Sequence, residues 1–339
     1  MGQLRSGALL LALRTVIRRT PDVSTGKHSR RGNSLSSIKH RAKTLANRLP
    51  SPVERVVRRL YVHQRFKTEM ELIAGKHQNK NEHPSIIHFS FNKAATQYVK
   101  SVLQRCAIEN GMVPVAVHDY AFHTNFPRLH YLPAEDVAKY HYIFKQRGYL
   151  YSVFEGMIEG IPHLEDYKVV LFARDPRDLL VSGYYSIAYS HTEPSKSGSK
   201  YEAFMKRRRR ARGLTIDEYV VAESDNVYGQ FSRYQRLLLE RHPNVHLTTY
   251  ERMVSDFEGW LKDLVSYCEL PLDRSLFESL VRENERLIPN KENIHNHLRK
   301  GQPGDYRRKL KAETIEYLDE KFAPILPRFG YHTTVRDVR

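Results

Sequence analysis

From residue 85 onward, short apolar runs alternate with stretches in which apolar positions recur every three or four residues. The first pattern predicts strands and the second predicts helices. The predicted strands are 86–91, 113–117, 141–145, 168–173 and 244–250. The predicted helices lie around 95–106, 176–189, 215–223, 227–241, 251–268, 273–286 and 311–322. Apolar strands that alternate with helices favour an α/β fold, with a central parallel sheet flanked by helices on both faces.

The first 84 residues show a different pattern. Residues 26–48 are polar and basic without apolar periodicity, residues 53–74 predict one amphipathic helix, and residues 77–84 have the composition of a linker. We therefore predict two parts, a partly disordered N-terminal extension over 1–84 and a folded domain over 85–339. Farther along, the segment 190–212 contains a run of five cations, Lys206 to Arg210, and is predicted to be a long surface loop or lid.

Charge separates the same two parts. The 339 residues carry a formal net charge of +17. Residues 1–84 hold 18 lysines and arginines against 5 aspartates and glutamates, which accounts for +13 of it. A basic extension favours peripheral contact with anionic lipid or a polyanion, although a solvated tail has the same composition. The nearly balanced domain gives no indication of specific nucleic-acid binding.

The N-terminus also bears on location. Its apolar run, residues 8–13, is far shorter than the roughly 20 residues that span a bilayer. Two cysteines form neither a disulfide framework nor a metal-site spacing, which is typical of a reducing compartment. We expect a soluble cytoplasmic protein. Peripheral membrane attachment and targeting to an organelle by the Arg-rich N-terminus are the alternatives.

Three segments carry candidate chemistry. The first, Ser90-Phe91-Asn92-Lys93-Ala94-Ala95-Thr96-Gln97, passes from a predicted strand into a predicted helix. Free backbone N–H groups and the dipole at a helix N-terminus favour an anion there, and Lys93 adds a positive charge. The segment has no glycine before Lys93, so it is not the phosphate loop of nucleotide triphosphatases. Taken alone, it is also common scaffold.

The second segment, Arg174-Asp175-Pro176-Arg177-Asp178-Leu179-Leu180-Val181-Ser182, follows the fourth predicted strand. Pro176 suits the first turn of a helix, and Arg174 lies at the carboxyl end of its strand, where ligands bind in open α/β sheets. The third segment, Arg299-Lys300-Gly301-Gln302-Pro303-Gly304-Asp305-Tyr306-Arg307, places two cations beside glycines that let the backbone approach a phosphate. Each has a structural alternative, an exposed arginine or a basic surface turn.

Together these segments resemble the sulfotransferases that use 3′-phosphoadenosine 5′-phosphosulfate (PAPS). The first is similar to the 5′-phosphosulfate loop of that family, the second to its 3′-phosphate block, and the third to its Arg-Lys-Gly-x-x-Gly-Asp-Trp segment with Tyr306 in place of tryptophan. Tyr250-Glu251-Arg252-Met253 resembles the family's Tyr-Glu-Asp-Met turn. The resemblance covers roughly residues 85–325 in the family's order, and it implies a P-loop-like three-layer sandwich.

The resemblance also implies roles. Lys93 bridges the 5′-phosphate and the sulfuryl group, and Tyr250 contacts the adenine. Four residues line the phosphosulfate: Ala94, Ala95, Thr96 and Gln97. Five residues hold the 3′-phosphate: Arg174, Ser182, Arg299, Lys300 and Gly301. PAPS is the implied co-substrate, and nothing in the sequence requires a metal. The family commonly has glycine where this chain has Ala94-Ala95.

The catalytic base is a second departure. The cytosolic branch of the family has a histidine in a Lys-Thr-His run after its third strand, and the corresponding place in this chain is taken as Lys145-Gln146-Arg147. Arginine cannot act as a base near neutral pH. We therefore predict that His118 at the end of the second strand is the base, because its pKa suits proton transfer. Asp119 and His123 are the alternatives.

The sequence thus predicts an enzyme that transfers a sulfuryl group from PAPS to a hydroxyl or amine. The acceptor, a glycan, a lipid or a small molecule, is not specified. One rival is a P-loop-type kinase, which the missing phosphate-loop glycines disfavour. The other is a catalytically silent protein of the same fold that binds a nucleotide or a polyanion.

Overall fold

The computed structural model describes residues 51–191, 193, 199–285 and 302–334. The chain divides into two units, Met1–Lys67 and Thr68–Arg339. The described part of the first unit is essentially one helix, α1 (Ser51–Arg65). The single helix predicted over 53–74 is wrong, because α1 ends at Arg65 and a second helix, α2 (Lys67–Ile73), begins after a turn. None of the described helices is long and apolar enough to cross a bilayer.

The second unit contains five strands. They are β1 (Ile86–Ser90), β2 (Val113–Val115), β3 (Tyr149–Phe154), β4 (Lys168–Ala173) and β5 (Val245–Thr249). The α-helices described after α2 are α3 (Thr96–Glu109), α4 (Val117–His123), α5 (Ala134–Val137), α6 (Pro176–Tyr185), α7 (Ser199–Arg212), α8 (Ile216–Tyr234), α9 (Tyr250–Ser255), α10 (Phe257–Tyr267), α11 (Arg274–Glu285), α12 (Tyr306–Lys309) and α13 (Ala312–Phe322). Short 3₁₀ or π turns are described at Leu129–Tyr131, Ala138–Ile143, Leu164–Asp166, Ser186–Ser190, Gln235–Leu239 and Leu326–Phe329.

The five strands form one parallel sheet in the order β2-β3-β1-β4-β5. Every residue of β1 and β3 is buried, so helices cover both faces of the sheet. The predicted α/β class is confirmed. Strand β1 lies between β3 and β4. The turns that follow these three strands therefore lie side by side at one edge of the sheet, where open parallel sheets bind ligands.

The third strand lies farther along the chain than the sequence indicated. The run 141–145 is not a strand, because Ala138–Ile143 forms a 3₁₀ turn. The buried Tyr151 hydroxyl donates to the Ile143 carbonyl at 2.7 Å and accepts from the Lys145 N–H at 2.6 Å, so a side chain satisfies backbone groups that a ladder would otherwise pair. The true strand, β3, follows Gly148, whose φ of +81° turns the chain into the sheet.

Three other elements differ from the prediction. The segment 190–212 is not a long loop, because α7 occupies its second half. The two helices predicted over 215–241 are one, α8, which runs on into a π turn. The helix predicted over 251–268 is interrupted at Asp256, whose side chain accepts from the Gly259 N–H at 2.9 Å and starts α10.

The boundary at residue 84 stays a prediction, and contacts of residues 68–84 indicate how to test it. Leu72 is 1% exposed, and the carboxylate of Glu69 accepts from the Ala116 N–H at 2.6 Å, ahead of α4. Asn79 donates to the Gly148 carbonyl at 2.6 Å, ahead of β3. These contacts place the segment against the turns that enter both β3 and α4.

We expect a chain that starts at Ser85 to be less stable than one that starts at Thr68. The loss of one buried leucine and one charge-assisted hydrogen bond should lower the free energy of unfolding by about 3 kcal/mol or more. Urea denaturation of the two truncated proteins measures the difference. Equal free energies of unfolding would contradict this expectation and support a boundary at residue 84.

Candidate active site

The turn between β1 and α3 holds Lys93 in an unusual backbone conformation. Lys93 and Ala95 have φ values of +74° and +56°, in the left-handed region that residues with a Cβ rarely adopt. The Thr96 hydroxyl donates to the Phe91 carbonyl at 2.9 Å, and the Ala94 N–H donates to the same carbonyl at 3.2 Å. The strained turn is thereby fixed, and α3 begins directly after it. The alanines found where the family commonly has glycine do not prevent a tight turn.

The Lys93 side chain reaches across to the π turn that follows α6. Its amine donates to the Ser186 hydroxyl at 2.6 Å. Burial lowers the pKa of Lys93, and the nearby charge of Glu155 raises it. The lysine amine is therefore partly shielded from water. In such surroundings its charge acts more strongly on a neighbouring anion.

Arg174 lies directly after β4 and joins the two predicted phosphate segments. Its Nη1 donates to the Lys93 carbonyl at 3.0 Å, and its guanidinium stacks 4.3 Å from the centre of the Tyr250 ring. The residue is only 8% exposed, and its buried Nε has no hydrogen-bond partner among the described residues. Ser182 is half-buried on α6, two turns farther on. Tyr250, predicted to contact adenine, contacts Arg174 here, and its role toward adenine stays a prediction.

The other arginine of this segment has a structural role. Arg177 is 2% exposed and forms ion pairs with Asp175 and Asp319. Its guanidinium also donates to the His332 carbonyl at 3.0 Å. Buried charges of this kind require their partners, so Arg177 holds the C-terminal region against the start of α6.

Asp178 on α6 fixes the third segment. Its buried carboxylate accepts from the Gly304 N–H at 2.7 Å and from the Tyr306 N–H at 3.0 Å, and it lies 3.6 Å from the Arg174 guanidinium. The predicted phosphate ligands Arg299, Lys300 and Gly301 lie outside the described residues. The described part of their segment, however, is attached to the helix that follows Arg174.

The residue that follows β3 is a carboxylate, Glu155. Because β3 ends at Phe154, residues 145–147 precede the third strand, and the prediction that they correspond to the family's histidine position is wrong. The signal that identifies β3 is the aromatic and β-branched run 149–154 after a glycine. Glu155 receives a hydrogen bond from the Gln97 side chain, and burial raises its pKa while the charge of Lys93 lowers it.

Tyr234 connects the turn at Glu155 with the turn at Lys93. This fully buried tyrosine donates to the Ser90 carbonyl at 3.3 Å, and its oxygen accepts a hydrogen bond from the Gly156 N–H. Both turns are thus held by one side chain of α8.

His118, predicted to be the base, lies on α4 beside Glu155. Its Nε2 is 3.8 Å from a carboxylate oxygen of Glu155, and its ring stacks on that of His130 with centroids 5.1 Å apart. Burial lowers the pKa of His118, which the charge of Asp119 partly offsets. Asp119 itself forms an ion pair with the buried Lys100 at 2.5 Å. The role of His118 as base stays a prediction.

The basic run 206–210 lies on α7. Arg208 is buried and donates to the carbonyls of Ile187 (3.0 Å) and His191 (2.5 Å), and Arg212 donates to that of Ala188 at 2.8 Å. These two cations attach the helix to the π turn that contains Ser186, whereas Lys206, Arg207, Arg209 and Arg210 are exposed.

At one edge of the parallel sheet, a lysine turn follows β1, a carboxylate follows β3 and an arginine turn follows β4. The family model described as "Sulfotransferase domain" matches residues 162–330, which include Arg174, Ser182 and the third segment. Residues 162–330 of this chain therefore contain a sulfotransferase domain. Lys93, His118 and Glu155 precede the matched residues.

No curated protein matches the sequence. Among solved structures, mouse sulfotransferase SULT7A1 complexed with PAP has a TM-score of 0.47 and 14% identity, over 76% of this chain and 89% of that one. Sulfotransferase STF9 from Mycobacterium avium has a TM-score of 0.43 and 11% identity, over 85% and 89%. Retinol dehydratase in a complex with retinol and PAP has a TM-score of 0.39 and 14% identity, over 76% and 84%.

In the described part of the chain, no cluster of three or more His, Cys, Asp or Glu side chains is arranged to hold a metal.

Proposed function

We propose that this protein transfers the sulfuryl group of PAPS to a hydroxyl or amine of an acceptor, with Glu155 as the base beside His118. The observation that carries the proposal is the hydrogen bond from Arg174 to the Lys93 carbonyl at 3.0 Å. It joins the turn after β1 to the turn after β4, while Glu155, which follows β3 on the other side of β1, feels the charge of Lys93. Cations and a carboxylate therefore face one another at a single edge of the sheet.

The residues at this edge fit a bisphosphorylated nucleotide. Lys93 and the N-terminus of α3 suit the 5′-phosphosulfate, because amines and free N–H groups both stabilise an anion. The buried Nε–H of Arg174 has no hydrogen-bond acceptor among the described residues. A 3′-phosphate would supply one. Arg299, Lys300 and Gly301 remain proposed ligands of the same phosphate.

The chemistry follows from charge development. Bound PAPS supplies an activated sulfuryl group whose transfer, like phosphoryl transfer, places charge on the leaving oxygen. Lys93 is the group that would stabilise that charge, and its partial burial strengthens the effect. No step requires a metal ion, and the acceptor oxygen or nitrogen loses its proton to a base on the opposite side.

Glu155 is favoured over His118 as that base because of its neighbours. The Glu155 carboxylate accepts a hydrogen bond from Gln97 in the first turn of α3, and it feels the charge of Lys93 in the turn just before that helix. The pKa of His118 is instead shifted by Asp119, Arg128 and Lys100, and the charge of Lys93 is not among the causes. Asp119 and Lys100 also act on Glu155, so the contribution of Lys93 is what distinguishes the two residues. Glu155 is therefore the proposed base, and His118 Nε2 lies 3.8 Å from its carboxylate.

Activity is tested by transfer of radiolabelled sulfate from PAPS to mixed pools of glycans, lipids and small phenols. We propose that the acceptor belongs to one of these classes. Label that reaches an acceptor with the wild type, and not with Lys93→Ala, supports the proposal. ATP turnover without sulfate transfer would favour the kinase rival, and binding of PAPS without either reaction would favour a silent binding protein.

The wild type is expected to bind adenosine 3′,5′-bisphosphate at least about a hundredfold more tightly than AMP. A hydrogen bond to a charged group contributes roughly 1.5–3 kcal/mol, and a 3′-phosphate would engage several cations. Arg174→Ala should reduce the preference and leave AMP binding nearly unchanged, as measured by isothermal calorimetry. Arg252→Ala is the control, since that arginine is exposed on α9. Equal affinity of the wild type for both nucleotides would overturn the PAPS assignment.

A further inference from the structure

We propose that His130 is a positioning residue, whose ring is wedged between the backbone at Gly156 and the ring of His118 and so holds His118 against Glu155. The proposal rests on the proposed function only in its activity readout. His130 belongs to the 3₁₀ turn Leu129–Tyr131, and it is attached to the core through Leu129, which is 3% exposed.

The first observation is the close approach of His130 to Gly156. A Cβ added at Gly156 would lie 2.8 Å from His130 Cδ2 and 3.0 Å from Cγ, closer than real Cβ atoms come. Gly156 is not among the residues with positive φ, so its backbone conformation does not demand glycine. The glycine is therefore explained by the space that the imidazole occupies, directly beside Glu155.

The second observation is the ring stack. His130 and His118 lie with centroids 5.1 Å apart and planes 28° from parallel, and the Tyr131 ring lies 4.0 Å from that of His130 on the way to the surface. Tyr131 is 73% exposed, whereas the His118 side chain is 14% exposed. The three rings thus form a row from the surface toward the Glu155 carboxylate, with His130 in the middle.

The third observation is the charge around the two rings. The groups that face them are Lys100, Asp119, Arg128, Glu155 and Arg233. Burial, the neighbouring His118 and the arginines lower the pKa of His130 to about 4. Burial likewise lowers the pKa of His118. Both rings are uncharged near neutral pH, which allows them to stack without mutual repulsion.

Removing the His130 ring should let water reach His118. Since burial is the largest cause that lowers the pKa of His118, His130→Ala should raise that pKa toward its ordinary value of 6.5. His130→Phe keeps a flat ring of similar size and should leave the pKa of His118 low. NMR titration of the His118 ring measures both, with the resonance assigned by its loss in His118→Gln.

Gly156→Ala tests the same contact from the other side without removing the ring. The added methyl should displace His130 and lower kcat at least about tenfold, since small misplacements at a reacting centre have effects of this size. In a His130→Ala background the two ring contacts of the added methyl are gone and only the Cβ of residue 130, 3.1 Å away, remains, so Gly156→Ala should then cause a clearly smaller further loss. His130→Phe should retain most activity.

The outcomes separate the two proposals. A His118 titration that is the same in wild type and His130→Ala would overturn the positioning role, as would an equal loss from Gly156→Ala with and without His130. If no acceptor receives sulfate, the proposed function fails, and the NMR titration still decides whether His130 positions His118.

Discussion

Replacement of Glu155 by glutamine is expected to lower kcat for sulfate transfer by about 10²–10⁴-fold, the usual contribution of a general base. Glutamine keeps the size of the side chain and its contact with Gln97 but cannot accept a proton. Binding of adenosine 3′,5′-bisphosphate should change little. The measurement is initial-rate kinetics with any acceptor that the radiolabel screen identifies, together with calorimetry on the product nucleotide.

A matched control is Glu159→Gln. Glu159 lies four residues farther along the same turn, and its side chain is 39% exposed and 4.0 Å from Arg241. Its loss should leave kcat within about twofold, since exposed ion pairs contribute little. Wild-type kcat in Glu155→Gln would move the base to another residue, and the proposed mechanism would then be wrong.

The pH dependence of activity provides a second test of Glu155 as the base. Burial raises the pKa of Glu155, so the carboxylate is lost as pH falls through a value above the 4.5 of an ordinary glutamate. Activity should therefore decline on the acid side at higher pH than a solvated glutamate would produce. In Glu155→Gln, this decline of activity on the acid side of the pH profile should disappear. If the decline disappears only in His118→Gln, His118 is the base.

Much of the fold was predictable because its signals are local. The apolar runs of β1, β4 and β5 and the periodicity of α3, α6 and α13 mark elements that the structure confirms. The strand β3 was missed since a neighbouring run, 141–145, has similar composition, and only the tertiary contact of Tyr151 with Ile143 and Lys145 shows why that run is not extended.

The sequence predicted those residues of the candidate site that lie in recognisable motifs. Lys93 and Arg174 were placed correctly at the carboxyl edge of the sheet, because each follows its strand directly. Glu155 was missed since its assignment depends on where β3 ends, and the predicted strand ended at residue 145 whereas β3 ends at Phe154. His130 could not be found from sequence, because its contact with Gly156 joins two irregular segments.

Replacement of Lys93 by alanine is expected to reduce kcat by about 10²–10³-fold, while affinity for adenosine 3′,5′-bisphosphate falls far less. The lysine lies on a fixed turn, its amine is partly buried, and charge on the leaving oxygen appears only as the sulfuryl group departs. A donor that acts mainly in the transition state is typically worth about 3–4 kcal/mol, and its removal lowers kcat more than binding.

The control for Lys93 is Ser186→Ala. This variant removes the hydroxyl that accepts from the Lys93 amine at 2.6 Å and leaves the amine in place. It should lower kcat far less than Lys93→Ala does, because the charged amine that acts on the leaving oxygen stays in place. Single-turnover rates with bound PAPS separate chemistry from product release in both variants. If Lys93→Ala keeps the wild-type single-turnover rate, the charge on the leaving oxygen is stabilised elsewhere, and Arg174 becomes the next residue to test, since it is the cation bound to the same turn.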